Sequence, residues 1–150
     1  KEVGMDTRFI ELAGAINTAM PGYVVQKVGE ALNSIGISIK GSRILILGLS
    51  YKKNVDDTRE SPSMVIIDML MKLGAKVQYS DPFFPLSPKT RKNNFELKCV
   101  ELTANNIQSF DLLLLTTDHD SFDYELISEQ ARLIVDTRGK IVNSNKVFRA

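Results

Sequence analysis

The sequence is poor in the residue types that build most reactive centres. Its 150 residues include one cysteine, Cys99, and one histidine, His119. A lone cysteine excludes an internal disulfide framework and a cysteine-rich zinc site. A lone histidine leaves no histidine cluster for a metal, so no metal site is expected. Charge of one sign is also missing: nineteen Lys and Arg stand against eighteen Asp and Glu, a net +1. That balance gives no general pull towards nucleic acid or an anionic membrane. The longest obvious apolar run, Leu112 to Leu115, falls far short of the ~20 residues a membrane helix needs. The first residues, Lys1-Glu2-Val3-Gly4, lack the apolar core of a secretory signal and do not begin with Met. The expectation is a piece of a longer protein in a reducing cytoplasm, with no nucleic-acid and no membrane partner. What is present is ordinary for a globular chain. A hydrophobic fraction of 43% and a charged fraction of 25% exclude disordered and fibrous classes.

The pattern divides near residue 36. From Asp6 to Ile35, apolar residues (Phe9, Leu12, Ala13, Ile16, Met20, Val24, Val28, Leu32, Ile35) recur every three or four positions, which predicts one long helix. Gly36 suits its end, and Pro21 predicts a bend or break near Met20 because it cannot donate to the carbonyl of Asn17. So long a one-sided stripe calls for a partner chain or another domain. Residues 1–36 are therefore read as a dimerisation helix and 37–150 as a second unit.

In that unit, apolar runs at 43–48, 75–80, 111–116 and 132–136 read as buried strands, with a weaker one at 96–102. Helices are expected at 61–73, 104–109 and 122–130; Ser61 suits the N-cap and Pro62 the first helical position. The stretch 83–94 reads as loop. Strands alternating with helices predict an α/β, Rossmann-like parallel sheet with helices on both faces, preceded by the long helix.

Ligands of such sheets bind beyond the carboxyl ends of the strands. Those ends carry Tyr51, Lys52, Lys53 and Arg59 after the first strand, Asp81-Pro82 after the second, Thr117-Asp118-His119 after the central one and Thr137-Arg138-Gly139 after the last. Lys52, Arg59 and Arg138, with a helix N-terminus between them, suit a phosphate or pyrophosphate. A bland reading stands beside each: solvated lysines for Lys52 and Lys53, a local ion pair with Asp56, Asp57 or Glu60 for Arg59, a surface charge for Arg138, and a loop hydrogen-bonder for His119. Asp57 and Ser61 are read as shaping the loop and capping the helix, and Cys99 as a small buried apolar residue. The first turn has one glycine, Gly48, where a dinucleotide fingerprint needs three, and no P-loop occurs. This unit is thus Rossmann-like in winding but not the primary NAD binder.

The segment Gly48-Leu-Ser-Tyr-Lys-Lys-Asn-Val-Asp-Asp-Thr-Arg-Glu-Ser-Pro62 resembles a signature of the UDP-glucose/GDP-mannose dehydrogenase family, G-x-[AS]-[FY]-K-x-x-x-x-D-x-R-E-S-P. Phe9 to Ala13, Asn17, Met20-Pro21, Asp81-Pro82, Thr117-Asp118-His119 and Val135 to Arg138 extend the resemblance over nearly the whole chain. The variant Tyr51-Lys52-Lys53 looks most like the UDP-N-acetylglucosamine 6-dehydrogenase branch. The resemblance implies an NAD-dependent oxidation of the sugar C6 hydroxyl to a carboxylate through a cysteine, with a separate N-terminal NAD-binding domain. It implies Tyr51, Lys52 and Arg138 as contacts to the UDP-sugar, Arg59 as a contact to NAD, and a homodimer through the first helix. The family's glycine-rich turn and G-G-x-C motif are absent, and Cys99 does not match the latter. No catalytic residue is therefore assigned, and the chain is expected to be inactive alone. A dimerisation scaffold or a receiver-like regulatory domain are the alternatives. The receiver needs an acidic pair after the first strand, where Gly48 to Lys52 stand instead.

Overall fold

The alternation of strands and helices is realised in space. The computed structural model describes residues 2–92 and 95–150, with side chains in the first helix from Thr7 onward. Helix α1 (Glu2–Asn33) precedes β1 (Arg43–Leu47), α2 (Pro62–Lys72), β2 (Lys76–Ser80), α3 (Ala104–Gln108), β3 (Leu112–Leu115), α4 (Tyr124–Gln130), β4 (Ile134–Asp136) and β5 (Val147–Arg149). The five strands form one parallel sheet in the order β2-β1-β3-β4-β5. Successive side chains point to opposite faces, so β1, β3 and β4 feed two cores, whereas the edge strand β2 feeds one. Ile44, Ile46, Leu112, Leu114 and Val135 pack with residues of α1 and α2. Leu45, Leu47, Leu113, Leu115 and Ile134 pack with residues of α3 and α4 on the other face. Leu112 to Leu115 are fully buried, the reason this strand reads as an unbroken apolar run rather than an alternation.

The local signals for α2 hold. Ser61 caps it, its hydroxyl accepting from the Ser63 N–H at 3.3 Å, and Pro62 opens it. The chain leaves α1 through Gly36 at φ +75°, with the Ile37 N–H returning to the Leu32 carbonyl at 3.0 Å.

Three details differ from the sequence pattern. Helix α1 does not break at Pro21; the proline lies inside a continuous helix. It marks instead a change of environment. Val24, Val25, Val28, Ala31 and Leu32 are buried in the same core as the sheet, whereas Phe9, Leu12 and Ile16 are 76%, 59% and 52% exposed. One stripe therefore meets two surroundings, because only its second half lies over the sheet, beside α2. Second, β4 is not the last strand: β5 pairs parallel to it at the sheet edge. A three-residue strand is too short for its period to stand out. Third, residues 96–102 form only two isolated bridges, Tyr79 with Cys99 and Leu86 with Lys98. Among the described residues no helix is long and apolar enough to cross a membrane.

Gly48 takes the chain out of β1 at φ +96°, and a Cβ there would lie 2.5 Å from Thr117 Cβ and 2.8 Å from the Thr117 carbonyl oxygen. Backbone strain and a contact that the neighbouring main chain cannot vacate act together. Gly48→Ala is expected to cost at least about 2 kcal/mol of unfolding free energy, read as a lower urea midpoint at unchanged slope.

Candidate functional site

Strands β1 and β3 are neighbours, and the chain leaves them towards opposite faces, into α2 and α4 respectively. The strand order reverses here, the place where ligands of such sheets bind, and residues 48–61 and 116–123 are the two loops that meet there. The loops are stitched together. Thr116 Oγ1 donates to the Gly48 carbonyl at 2.6 Å and Thr117 Oγ1 to the Ser50 carbonyl at 2.7 Å. The Tyr51 N–H closes the loop onto the Asp57 carbonyl at 2.7 Å.

Arg138 joins this edge from β4. Its Nε donates to the Thr116 carbonyl at 2.9 Å, and its backbone N–H is held by Asp136 Oδ1 at 2.8 Å. Asp136 is buried and receives the N–H groups of Gly139 and Ile141 and the guanidinium of Arg149 as well. The carboxylate thus shapes the turn that presents Arg138. Through Thr116 and Thr117, the segment bearing Tyr51 and Lys52 and the side chain of Arg138 share one edge of the sheet. Lys52 is exposed and lies 5.9 Å above the Tyr51 ring; it has no carboxylate partner among the described residues. Lys53 has one, Asp120 at 3.2 Å.

Arg59 behaves differently. It lies beside Tyr51 along a shallow cleft completed by Asp57 and Glu60, yet its guanidinium grips Asp57 with Nε and Nη2 at 3.0 and 2.9 Å. These hydrogen bonds hold the Asp57 carboxyl down at about 2. The Arg59 side chain is 87% exposed, so the pair is screened by water and readily exchanged. The local ion pair is what the structure contains.

A buried polar centre beneath the loops is the feature that sequence reasoning missed. Asp81 follows β2 and accepts from the Leu49 N–H at 2.7 Å, the Phe83 N–H at 2.8 Å and the Ser50 hydroxyl at 3.3 Å. Its Oδ2 also meets His119 Nε2 at 2.9 Å. His119 is fully buried, between the rings of Phe83 and Phe122 at 5.2 and 5.4 Å. Burial alone would push the Asp81 carboxyl up, but the hydrogen bonds from His119, Leu49 and Phe83 outweigh it and hold it below the ordinary carboxylate value. Asp81-Pro82 and His119 were visible at strand ends, but nothing in one dimension paired residues 38 positions apart. Cys99 packs nearby, half-buried, with Sγ 3.4 Å from the Asp81 nitrogen. Among the described residues no group of three or more His, Cys, Asp or Glu is placed to hold a metal. A separate cleft of about 470 Å³ between α4 and residues 140–147 contains none of the expected binding residues.

Fold and loop geometry together define a Rossmann-like α/β domain whose loops after β1, β3 and β4 meet at one edge of the sheet. Comparison with known proteins makes this specific. Residues 45–143 match the UDP-glucose/GDP-mannose dehydrogenase family, UDP binding domain, and the chain belongs to that family. It is 38% identical over 117 residues to a UDP-N-acetyl-D-mannosamine dehydrogenase of Methanococcus maripaludis, covering 78% of this chain and 25% of that protein. It is 29% identical over 149 residues to a UDP-glucose 6-dehydrogenase of Rickettsia typhi, covering 93% and 32%. The solved UDP-D-ManNAc dehydrogenase of Pyrococcus horikoshii superposes with a TM-score of 0.74 at 26% identity, over 93% of this chain and 32% of that one. The chain spans about a quarter to a third of the length of these relatives. What the match covers is that family's UDP binding domain.

A carboxyl whose pKa is lowered by folding adds stability above its unfolded value, about 3.9, and loses it as pH falls through the folded value. Asp81→Asn is therefore expected to cost about 2–3 kcal/mol at pH 7, with the gap to the parent narrowing below about pH 4. Thermal midpoints of both proteins between pH 7 and pH 2 check this; a constant gap contradicts it.

Proposed function

We propose that this chain holds the UDP end of a UDP-sugar for a dehydrogenase that oxidises the sugar C6 hydroxyl to a carboxylate with NAD. Residues 37–150 form the UDP-sugar unit and residues 1–36 the helix that links and dimerises. The observation that carries the reading is the junction at Thr116 and Thr117, which ties the Tyr51–Lys52 loop and Arg138 to one edge of a family-matched domain. Lys52 and the free guanidinium nitrogens of Arg138 supply two cations for a diphosphate, Arg138 with a planar fork suited to phosphate oxygens. Tyr51, nearly half exposed, lines the nucleotide pocket. Binding at the diphosphate positions a distant C6 for reaction, so energy gained far from the reacting atoms lowers the barrier there. The relatives above are named for UDP-N-acetyl-D-mannosamine and UDP-glucose, and the Tyr51-Lys52-Lys53 variant looks like the UDP-N-acetylglucosamine branch. The substrate class common to all three is a UDP-hexose or UDP-hexosamine.

The first turn of this chain does not fit a dinucleotide. Its one glycine, Gly48, has its open side filled by Thr117, which leaves no close approach for a pyrophosphate. NAD is assigned to another domain of the full-length protein. Arg59, released from its exposed pair with Asp57, is the group this chain offers across the interface to it. The full-length protein is placed in the cytoplasm, where UDP-sugars and NAD are available.

UDP is expected to bind the 150-residue chain with a Kd of ~10⁻³–10⁻⁴ M, and Arg138→Ala or Lys52→Ala to weaken it about tenfold. Calorimetry with millimolar UDP checks both; no saturable heat overturns the reading. The chain alone is expected to form no NADH from NAD⁺ and UDP-sugar, followed by absorbance. The exposed stripe of Phe9, Leu12 and Ile16 supports a homodimer: light scattering is expected to give twice the chain mass, reverting to the monomer in Phe9→Glu/Ile16→Glu.

A further inference from the structure

The geometry points to His119 as the positioning residue of the loop that carries Tyr51 and Lys52. It acts through its two ring nitrogens in different roles: Nε2 is anchored on Asp81 at 2.9 Å, and Nδ1 accepts the Asn54 N–H at 2.9 Å. The inference deepens the UDP-binding reading and rests on it for its effect on affinity.

An Nδ1 that accepts a backbone N–H carries no hydrogen, so the hydrogen of a neutral ring sits on Nε2 and points at the Asp81 carboxylate. The second contact therefore sets the tautomer that the first one needs. Asp81 belongs to the loop after β2, His119 to the loop after β3, and Asn54 to the loop after β1. One side chain clasps all three.

The clasp meets the loop where it is most demanding. Asn54 has φ +63°, a left-handed conformation that an asparagine adopts more readily than most residues but that still costs energy. Around it lie further contacts: Asn54 Nδ2 to Asp120 Oδ2 at 2.7 Å, the Asp120 N–H to Asn54 Oδ1 at 3.0 Å, and Lys53 Nζ to Asp120. These are exposed and are replaced by water at small cost. The His119 contacts are different, because the ring is buried and its nitrogens have no water to turn to. Lys52 stands between Tyr51, whose N–H is tied to Asp57, and Asn54, tied to His119. Its backbone is thus held from both sides while its side chain stays exposed for a ligand.

Two substitutions separate the roles of the nitrogens. In His119→Asn the amide oxygen, one bond beyond Cγ, takes the place of Nδ1 and keeps the Asn54 contact while losing Asp81. In His119→Gln the amide nitrogen, two bonds beyond Cγ, takes the place of Nε2 and keeps Asp81 while losing Asn54. Both remove a buried ring, so a role in packing alone affects them alike. The test measures backbone amide exchange across residues 50–57 and UDP affinity by calorimetry, on the 150-residue chain. For His119→Gln, exchange at Asn54 and its neighbours is expected to rise about tenfold and the Kd for UDP at least threefold. For His119→Asn, which keeps the Asn54 contact and loses the Asp81 anchor, both are expected to rise clearly less than in His119→Gln. Equal behaviour of the two variants, or an unchanged loop in His119→Gln, overturns the inference. If the parent chain binds no UDP, the nucleotide reading fails, and the exchange data alone decide whether His119 is the clasp.

Discussion

The loops at the carboxyl edge of the sheet depend on one carboxylate. Asp81 collects two backbone N–H groups, a hydroxyl and an imidazole from three separate stretches of chain. A buried anion requires such compensation, since an unpaired one would be protonated or would unfold its surroundings. The requirement works as a constraint on geometry: Leu49, Ser50, Phe83 and His119 can each satisfy it only if the loops after β1, β2 and β3 come together in one arrangement. The conformations of Gly48 and Asn54, both at positive φ, persist because that arrangement over-determines them.

Above this anion the loops offer cations. Lys52 and Arg138 reach the edge from different strands, and each is presented by a backbone fixed elsewhere: Lys52 by the contacts at Tyr51 and Asn54, Arg138 by Asp136 and Thr116. Buried carboxylates that shape the loops, with exposed cations on those loops, separate the groups that hold the fold from the charges left at the surface. Arg59 stands outside this plan. Its pair with Asp57 is exposed and screened by water.

Helix α1 connects the two scales of the molecule. From Pro21 onward it belongs to the core, lying beside α2 and over β3 to β5. Before Pro21 the same periodicity continues with its apolar side chains in water. An exposed stripe of this kind marks a contact surface, and it is rigidly joined to the sheet because the helix is continuous.

Much was legible in one dimension because the signals were local. Buried strands read as apolar runs, Ser61-Pro62 opened α2, and the strand ends named the stretches that hold Tyr51, Lys52 and Arg138. The misses share a cause as well. Residues 147–149 become a strand only because β4 offers an edge, and residues 96–102 pair with too little to become one. The sequence by itself determined the α/β class, the alternation of the buried strands with helices and the family, because periodicity, caps and a contiguous signature lie within short stretches. Only the tertiary structure decided that Asp81 and His119 form one centre, that Arg59 turns to Asp57, and that half of the α1 stripe is left uncovered. Those outcomes depend on which distant groups share a buried volume, and hydrogen bonding and desolvation act on distance in space, not on separation along the chain.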